Sequence, residues 1–145
     1  MENQEVPKEI SAFIESRHCM SISVCTPDGP WSATVFYAYD TEAMRLIFVS
    51  DKQTRHGLAM LKNPKISGTI SNDELDIFKI QGIQFEGEAI LISNNYKRKA
   101  RYVFLKRFPF AITRKLTLWY VDPMYAKMTD NTLFFSAKTQ WKRNL

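Results

Sequence analysis

Apolar and polar positions alternate with a period of two along most of this chain, and three stretches depart to a helical period. From Cys19 to Thr26, Met20, Ile22 and Val24 share one face, while Cys19, Ser21, Ser23 and Cys25 share the other. That is the pattern of a strand with one buried side. Pro27-Asp28-Gly29-Pro30 is a turn by composition, so residues 31–39 should return antiparallel. Their two faces are Trp31, Ala33, Val35, Tyr37, Tyr39 and Ser32, Thr34, Phe36, Ala38. Residues 40–43 make a second turn and residues 44–49 a third strand. Residues 65–71 give a fourth, with Ile66 and Ile70 on one face. A polar turn at 72–75 leads to a long strand over 76–93, where the alternation slips. Phe78 and Ile80 are even-numbered, whereas Ile83, Phe85, Ala89 and Leu91 are odd. A β-bulge near Gln81-Gly82 would absorb the slip. Residues 116–121, 124–128 and 132–135 read as closing strands, with Asp130-Asn131 as a turn.

The helical stretches are as plain. Over 7–17, Ile10, Phe13 and Ile14 recur at helical spacing, and Pro7 suits a first turn. Leu58-Ala59-Met60-Leu61 forms a short helix that should stop near Asn63-Pro64. Over 95–107, Tyr96, Ala100, Val103 and Phe104 make an apolar stripe, and Phe108-Pro109-Phe110 ends the helix. Many short antiparallel strands with two to three helices predict a mainly β (α+β) fold, a small antiparallel β-barrel with peripheral helices. The 145 residues fit one domain, 1–145, with a sizeable core.

Composition narrows the class. The chain is 45% hydrophobic and 24% charged, as ordinary soluble proteins are. No apolar run approaches the ~20 residues that span a bilayer. The acidic start, Met-Glu-Asn-Gln-Glu, lacks the apolar core of a secretory leader, so a cytoplasmic location is expected. Cys19 and Cys25 lie roughly 20 Å apart on one strand, beyond disulfide reach. With His18 and His56 as the only histidines they make a poor metal site, and no metal is expected. The net charge of +5 is uneven: from Ala89 to Val121 there is no Asp or Glu, while Lys97, Arg98, Lys99, Arg101, Lys106, Arg107, Arg114 and Lys115 fall in that span. Such a face suits anionic ligands, nucleic acid or solubility.

The candidate chemistry gathers at Ser50-Asp51-Lys52-Gln53-Thr54-Arg55-His56, between the third strand and the second helix. A helix N-terminus carries free N–H groups and partial positive charge, so cations there are unfavourable unless an anion is shared. A bound phosphate would resolve the conflict; a solvated surface loop is the plainer alternative. Ser32, Thr34 and Phe36 form a strand face that could lie against a planar heterocycle, or be a core or solvent face of the barrel. The basic helix is explained by solvent alone; RNA contact, aided by Tyr102 and Phe104, is a lesser alternative. No nucleophile motif or useful carboxylate pair is present, so an enzyme of this sequence would rely on a cofactor.

The ordered set Trp31-Ser32-Ala33-Thr34-Val35-Phe36-Tyr37, Lys52-Gln53-Thr54-Arg55-His56, Gly82-Ile83-Gln84-Phe85-Glu86-Gly87-Glu88, Arg107-Phe108-Pro109 and Thr129-Asp130-Asn131-Thr132-Leu133 with Trp141 resembles the FMN-binding split barrels related to pyridoxamine 5'-phosphate oxidase. Within them the chain looks most like a small uncharacterised bacterial subfamily. The resemblance implies a split barrel and a homodimer with FMN at the subunit interface. It implies that Ser32, Ala33, Thr34, Val35, Phe36 and Tyr37 line the flavin ring, with Val49 and Ser50 ending the next strand beside it. Lys52, Thr54, Arg55 and His56 would serve the phosphate; a lysine stands at the position of His56 in the oxidases. Gln84 and Trp141 would serve the ring edge or the partner subunit. The expected function is FMN binding, with flavin-dependent oxidoreduction of a small molecule. The alternative is a non-catalytic flavin or haem store, for which His18 and His56 are the only histidines. The chain ends Gln140-Trp141-Lys142-Arg143-Asn144-Leu145, without the oxidases' closing Arg-Leu-x-Pro segment, which argues against vitamin B6 oxidation. Phe134-Phe135-Ser136 also replace the glycine of the subfamily's turn after Leu133.

Overall fold

The computed structural model describes residues 5–144. Residues 1–4, on which the expected lack of a leader rests, and Leu145 lie outside them. Seven antiparallel strands form one sheet: β1 (Cys19–Thr26), β2 (Gly29–Asp40), β3 (Arg45–Val49), β4 (Lys65–Ser71), β5 (Gln81–Leu91), β6 (Leu118–Asp130) and β7 (Ala137–Lys142). Their order is β3-β2-β1-β4-β5-β6-β7, and β3 also pairs with β6. Six strands therefore close into the expected antiparallel barrel, and β7 extends β6 beyond the closure.

The barrel interior follows the predicted alternation. Met20, Ile22 and Val24 of β1, Val35 and Tyr37 of β2 and Phe85 of β5 join one buried cluster. Helix α1 (Lys8–Ser16) adds Ile10, Phe13 and Ile14 to it, and α2 (Arg55–Lys62) adds Ala59 and Met60. Helix α3 (Tyr96–Arg107) packs outside, its Ala100 and Phe104 against Ala38, Ile47 and Leu118. Among the described residues no helix is long and apolar enough to cross a membrane.

Four expectations are corrected. The strand over 76–93 is shorter: a 3-10 turn, Ile77–Lys79, capped by Asp76, precedes β5. That turn, not a bulge at Gln81-Gly82, causes the slip in alternation. The register shift lies instead between Glu86 and Gly87, opposite Pro123. A Cβ on Gly87 would stand 2.1 Å from the Asp122 carbonyl oxygen, so the strands approach this closely only because glycine is there. The shift also lets β6 run unbroken past Pro123, where two strands were expected. Finally, residues 132–135 form no strand. Asp130 Oδ1 accepts the N–H and hydroxyl of Thr132, and Asn131 Oδ1 accepts the N–H of Ser136, which tie the segment into a turn. Ser136 takes a left-handed φ of 64°, the conformation that favours glycine.

Candidate functional site

Where β3 ends, the chain stays with β6 and leaves β2. The Ser50 N–H donates to the Thr117 carbonyl at 3.2 Å, and the Ser50 carbonyl accepts Trp119 Nε1–H at 2.9 Å. β2 pairs with β3 only from Tyr37 to Asp40, so its earlier half has no strand on that side. Alternation decides which backbone groups face this opening. The Tyr37 N–H donates across to the His18 carbonyl on the β1 side. The backbone groups of Val35 and Ala33 therefore also turn to β1, and those of Thr34 and Ser32 turn to the opening.

The segment that follows borders the opening. Asp51 folds it: its carboxylate accepts the Gln53 N–H at 2.8 Å and its carbonyl accepts the Thr54 hydroxyl at 2.8 Å. Thr54 is the N-cap of α2, and its oxygen also accepts the Gly57 N–H at 3.0 Å. The Thr54 hydroxyl is thus occupied in shaping the helix start. A Cβ on Gly57 would stand 2.5 Å from the Asp51 carbonyl, so the turn closes onto a residue without a side chain. With Gly57 and Leu58 bonded to Thr54, the N–H groups of Arg55 and His56 are first-turn donors without a partner among the described residues.

Side chains complete the arrangement. The Arg55 guanidinium lies 4.0 Å over the Trp31 ring, at the near end of β2. His56 Nε2 lies 2.5 Å from Ser50 Oγ and 3.4 Å from Thr54 Oγ1. Burial lowers the His56 pKa from its ordinary value, which favours the neutral ring. Lys52 is exposed on the same turn. Two backbone donors, a guanidinium, an imidazole and a hydroxyl thus surround a helix N-terminus. The arrangement suits a polyoxyanion, and the Ser50–His56 contact belongs to its wall.

The remaining predicted residues divide by face. Ser32, Thr34 and Phe36 point out of the barrel, and Ser32 Oγ lies 2.8 Å from Ser23 Oγ. Phe36 meets His18 at 6.0 Å and Phe108 at 5.6 Å between ring centroids. Ala33, Val35 and Tyr37 pack inward, and the Tyr37 hydroxyl reaches the Ile14 carbonyl at the end of α1. Val49 packs with the α3 cluster. Gln84 is exposed on β5, with β1 and β4 between it and β2, and lines a small hollow with Ser21, Ser67 and Thr69. Trp141, 4% exposed, belongs to the core of its own chain. Sequence reading missed Thr117 and Trp119, which fix Ser50. Nothing local marks them, because their role depends on the β3–β6 pairing. Trp31 carried a signal, a large aromatic at the end of a strand run, but its partner Arg55 is distant in sequence.

Residues 6–111 match the family model described as pyridoxamine 5'-phosphate oxidase. The chain is 35% identical over 143 residues to a UPF0306 protein of Serratia proteamaculans (strain 568), covering 99% of each. Among solved structures, a haem binding protein from Mycobacterium smegmatis superimposes with a TM-score of 0.78 at 15% identity, over 93% of this chain and 57% of that one. A pyridoxamine 5'-phosphate oxidase-related, FMN binding protein from Nostoc punctiforme gives a TM-score of 0.68 at 12% identity, over 97% of this chain and 98% of that one. At such identities these structures show the shared split-barrel fold.

Proposed function

Since the chain belongs to the pyridoxamine 5'-phosphate oxidase family, we propose that it binds FMN at the opening beside β2 and acts as a flavin-dependent oxidoreductase on a small molecule. One observation carries this reading: the two unpartnered N–H groups at the start of α2 sit among Arg55, His56 and Ser50, next to an unpaired strand edge. Residues and ligand fit chemically. The Arg55 guanidinium and the Arg55 and His56 N–H groups would hold the phosphate, with Lys52 adding charge from the rim. The exposed backbone of Ser32 and Thr34 would meet the polar edge of the ring, and Phe36 its flat body. Bound FMN would supply the electron and hydride chemistry that the side chains cannot.

The short Ser50–His56 contact has a role in this reading. It fixes the imidazole against the wall, where a neutral ring accepts or donates one hydrogen bond and a dianion nearby favours its protonation. A homodimer with the flavin between subunits is part of the proposal, since one chain leaves the earlier half of β2 without a strand on that side.

The test is flavin fluorescence with FMN and riboflavin in parallel. FMN should bind at low micromolar concentration and riboflavin far more weakly. Equal affinity for the two, or no binding at tens of micromolar, would sink the proposal. A second reading, haem binding, is favoured by His18, an exposed histidine stacked on Phe36 beside Phe108. A Soret band in fresh protein that disappears in His18→Ala would establish it; flavin bands alone would remove it.

A further inference from the structure

The basic helix α3 carries two kinds of cation. Lys97, Arg98 and Arg101 project to solvent. Lys99, Lys106 and Arg107 instead border a cavity of about 550 Å3 between the end of α1, the last turn of α3 and residues 37–42. This cavity is separate from the opening beside α2 and shares no residue with the phosphate arrangement there except through β2 itself.

Its charges are sorted by position. At one end stand Arg17, Lys106 and Arg107. The Arg107 guanidinium donates to the Arg17 carbonyl at 3.4 Å, which draws the end of α3 to the start of β1. None of the three cations forms an ion pair among the described residues. Tyr37 forms the wall between them, its hydroxyl donating to the Ile14 carbonyl at 2.6 Å. Burial raises the phenol pKa, while Arg107 and Arg17 both act to lower it, as guanidinium groups close to one wall must.

At the other end the carboxylates are already engaged. Asp40 is 3% exposed, accepts the Tyr96 hydroxyl at 2.7 Å and faces Lys99 at 3.5 Å. Glu42 pairs with Lys99 at 2.5 Å. Glu15 lies on the α1 side, exposed and without an ion pair among the described residues. Between the ends, Ile14, Val103 and the exposed ring of Tyr102 supply an apolar floor. Lys99 and Lys106 are seven residues apart on α3, which separates the two ends by about 10 Å.

Three cations without acid partners converge on one end of a cavity large enough for a small ligand. Two are guanidinium groups, the donors best matched to a phosphate. We propose that this cavity binds a small organic phosphate about 10 Å long, a length set by the rise of α3, with its phosphate between Arg17, Lys106 and Arg107. Hydroxyl or amino donors at its far end meet the exposed Thr41 and Glu42, and an apolar or aromatic middle lies over Tyr102 and Val103.

AMP is the probe, since it carries a phosphate, a ring and donor groups in one molecule of that length. Backbone amide NMR spectra would be recorded on the full chain saturated with FMN, and again without FMN. AMP should cause saturable shifts at Arg17, Tyr37, Val103 and Arg107 in both, and adenosine should bind at least tenfold more weakly. Arg17→Gln with Arg107→Gln should weaken AMP at least tenfold while leaving FMN affinity within twofold. Lys106→Gln, an exposed position, serves as a milder variant and should weaken AMP threefold or more. The proposal is overturned if no saturable shift occurs below 5 mM AMP, at roughly the weak limit of a specific site. It is equally overturned if shifts are confined to residues 50–57, or if Lys106→Gln and the double variant bind AMP as the parent does. Because the cavity is read with and without FMN, failure of flavin binding is seen separately.

Discussion

Two regions of this molecule carry clustered cations, the turn into α2 and the outer face of α3, and the chain treats them differently. In the α2 turn the chain is held at several points: Thr54 caps the helix, Trp119 holds the Ser50 carbonyl, and Gly57 lets the turn close. Two backbone donors remain, aimed where the cations gather. Along the outer face of α3, Lys97, Arg98 and Arg101 have water as their surroundings, and the helix backbone satisfies itself. Density of positive charge is higher in α3, yet the better anion arrangement is in the turn. A site of this kind is marked by unspent backbone donors at a fixed place, and the side-chain charge refines it.

Gly57→Ala should separate the two regions most sharply. The new Cβ would press on the Asp51 carbonyl and Thr54 hydroxyl, a strain of roughly 1–3 kcal/mol for overpacking. Thermal melting should fall and FMN affinity should drop at least tenfold; unchanged melting and binding would mean that the turn is not held as described. Arg55→Ala comes next. It removes a charged hydrogen-bond donor, about 1.5–3 kcal/mol, or roughly 10- to 150-fold in FMN affinity. Riboflavin affinity should stay within twofold, and an equal loss for both flavins would put Arg55 on the ring and not the phosphate.

His56→Lys sharpens the same side. At pH 8 the half-buried imidazole is neutral and a lysine is charged, so FMN should bind several-fold more tightly in the variant. The gain should shrink toward pH 6, and a gain independent of pH would count against a neutral His56. The depressed pKa also links His56 to stability. Protonation is harder in the folded protein, so this contribution is complete above the ordinary histidine value near 6.5 and is lost as pH falls through the lowered folded value. Chemical denaturation from pH 7.5 to pH 5 should show a fall in stability that His56→Gln reduces. The smallest effect belongs to α3: changing Lys97, Arg98 and Arg101 together to Gln should leave FMN affinity within twofold and cost no more than about 0.5 kcal/mol per site. A larger loss of FMN affinity would erase the contrast between the regions.

Two strands with one buried face were legible to the residue. β1 and β4 have the bounds read from alternation alone, since interior and exterior positions differ fully in polarity. The α3 stripe was equally clear. The segment 132–135 was not, because Leu133, Phe134 and Phe135 favour a strand by composition while Asp130 and Asn131 bind the local backbone into a turn. The start of β5 failed for a similar reason: Asp76 caps a 3-10 turn inside an apolar run. Of the candidate site, residue types at 50–56 were enough to suggest an anion. The opening beside β2 was hidden, since it exists because β3 leaves β2 for a strand about seventy residues later, a fact of topology that no window of sequence contains.

That late partner has a consequence for how the protein comes to be functional. β3 meets β6 through Leu46–Val121 to Val49–Leu118, and Arg45 reaches Asp122 at 2.7 Å across the same seam. Contacts so far apart in sequence carry the largest closure entropy and are expected among the last to form. The Ser50 backbone takes its place only when Thr117 and Trp119 arrive, so the cradle at α2 is a product of the final seam. Refolding followed through Trp119, stacked on Phe48 at 6.1 Å, should therefore be followed, not preceded, by recovery of anion binding. The ligand then serves as a clock for the last event of folding, and in the cell it would retain only chains that have completed it.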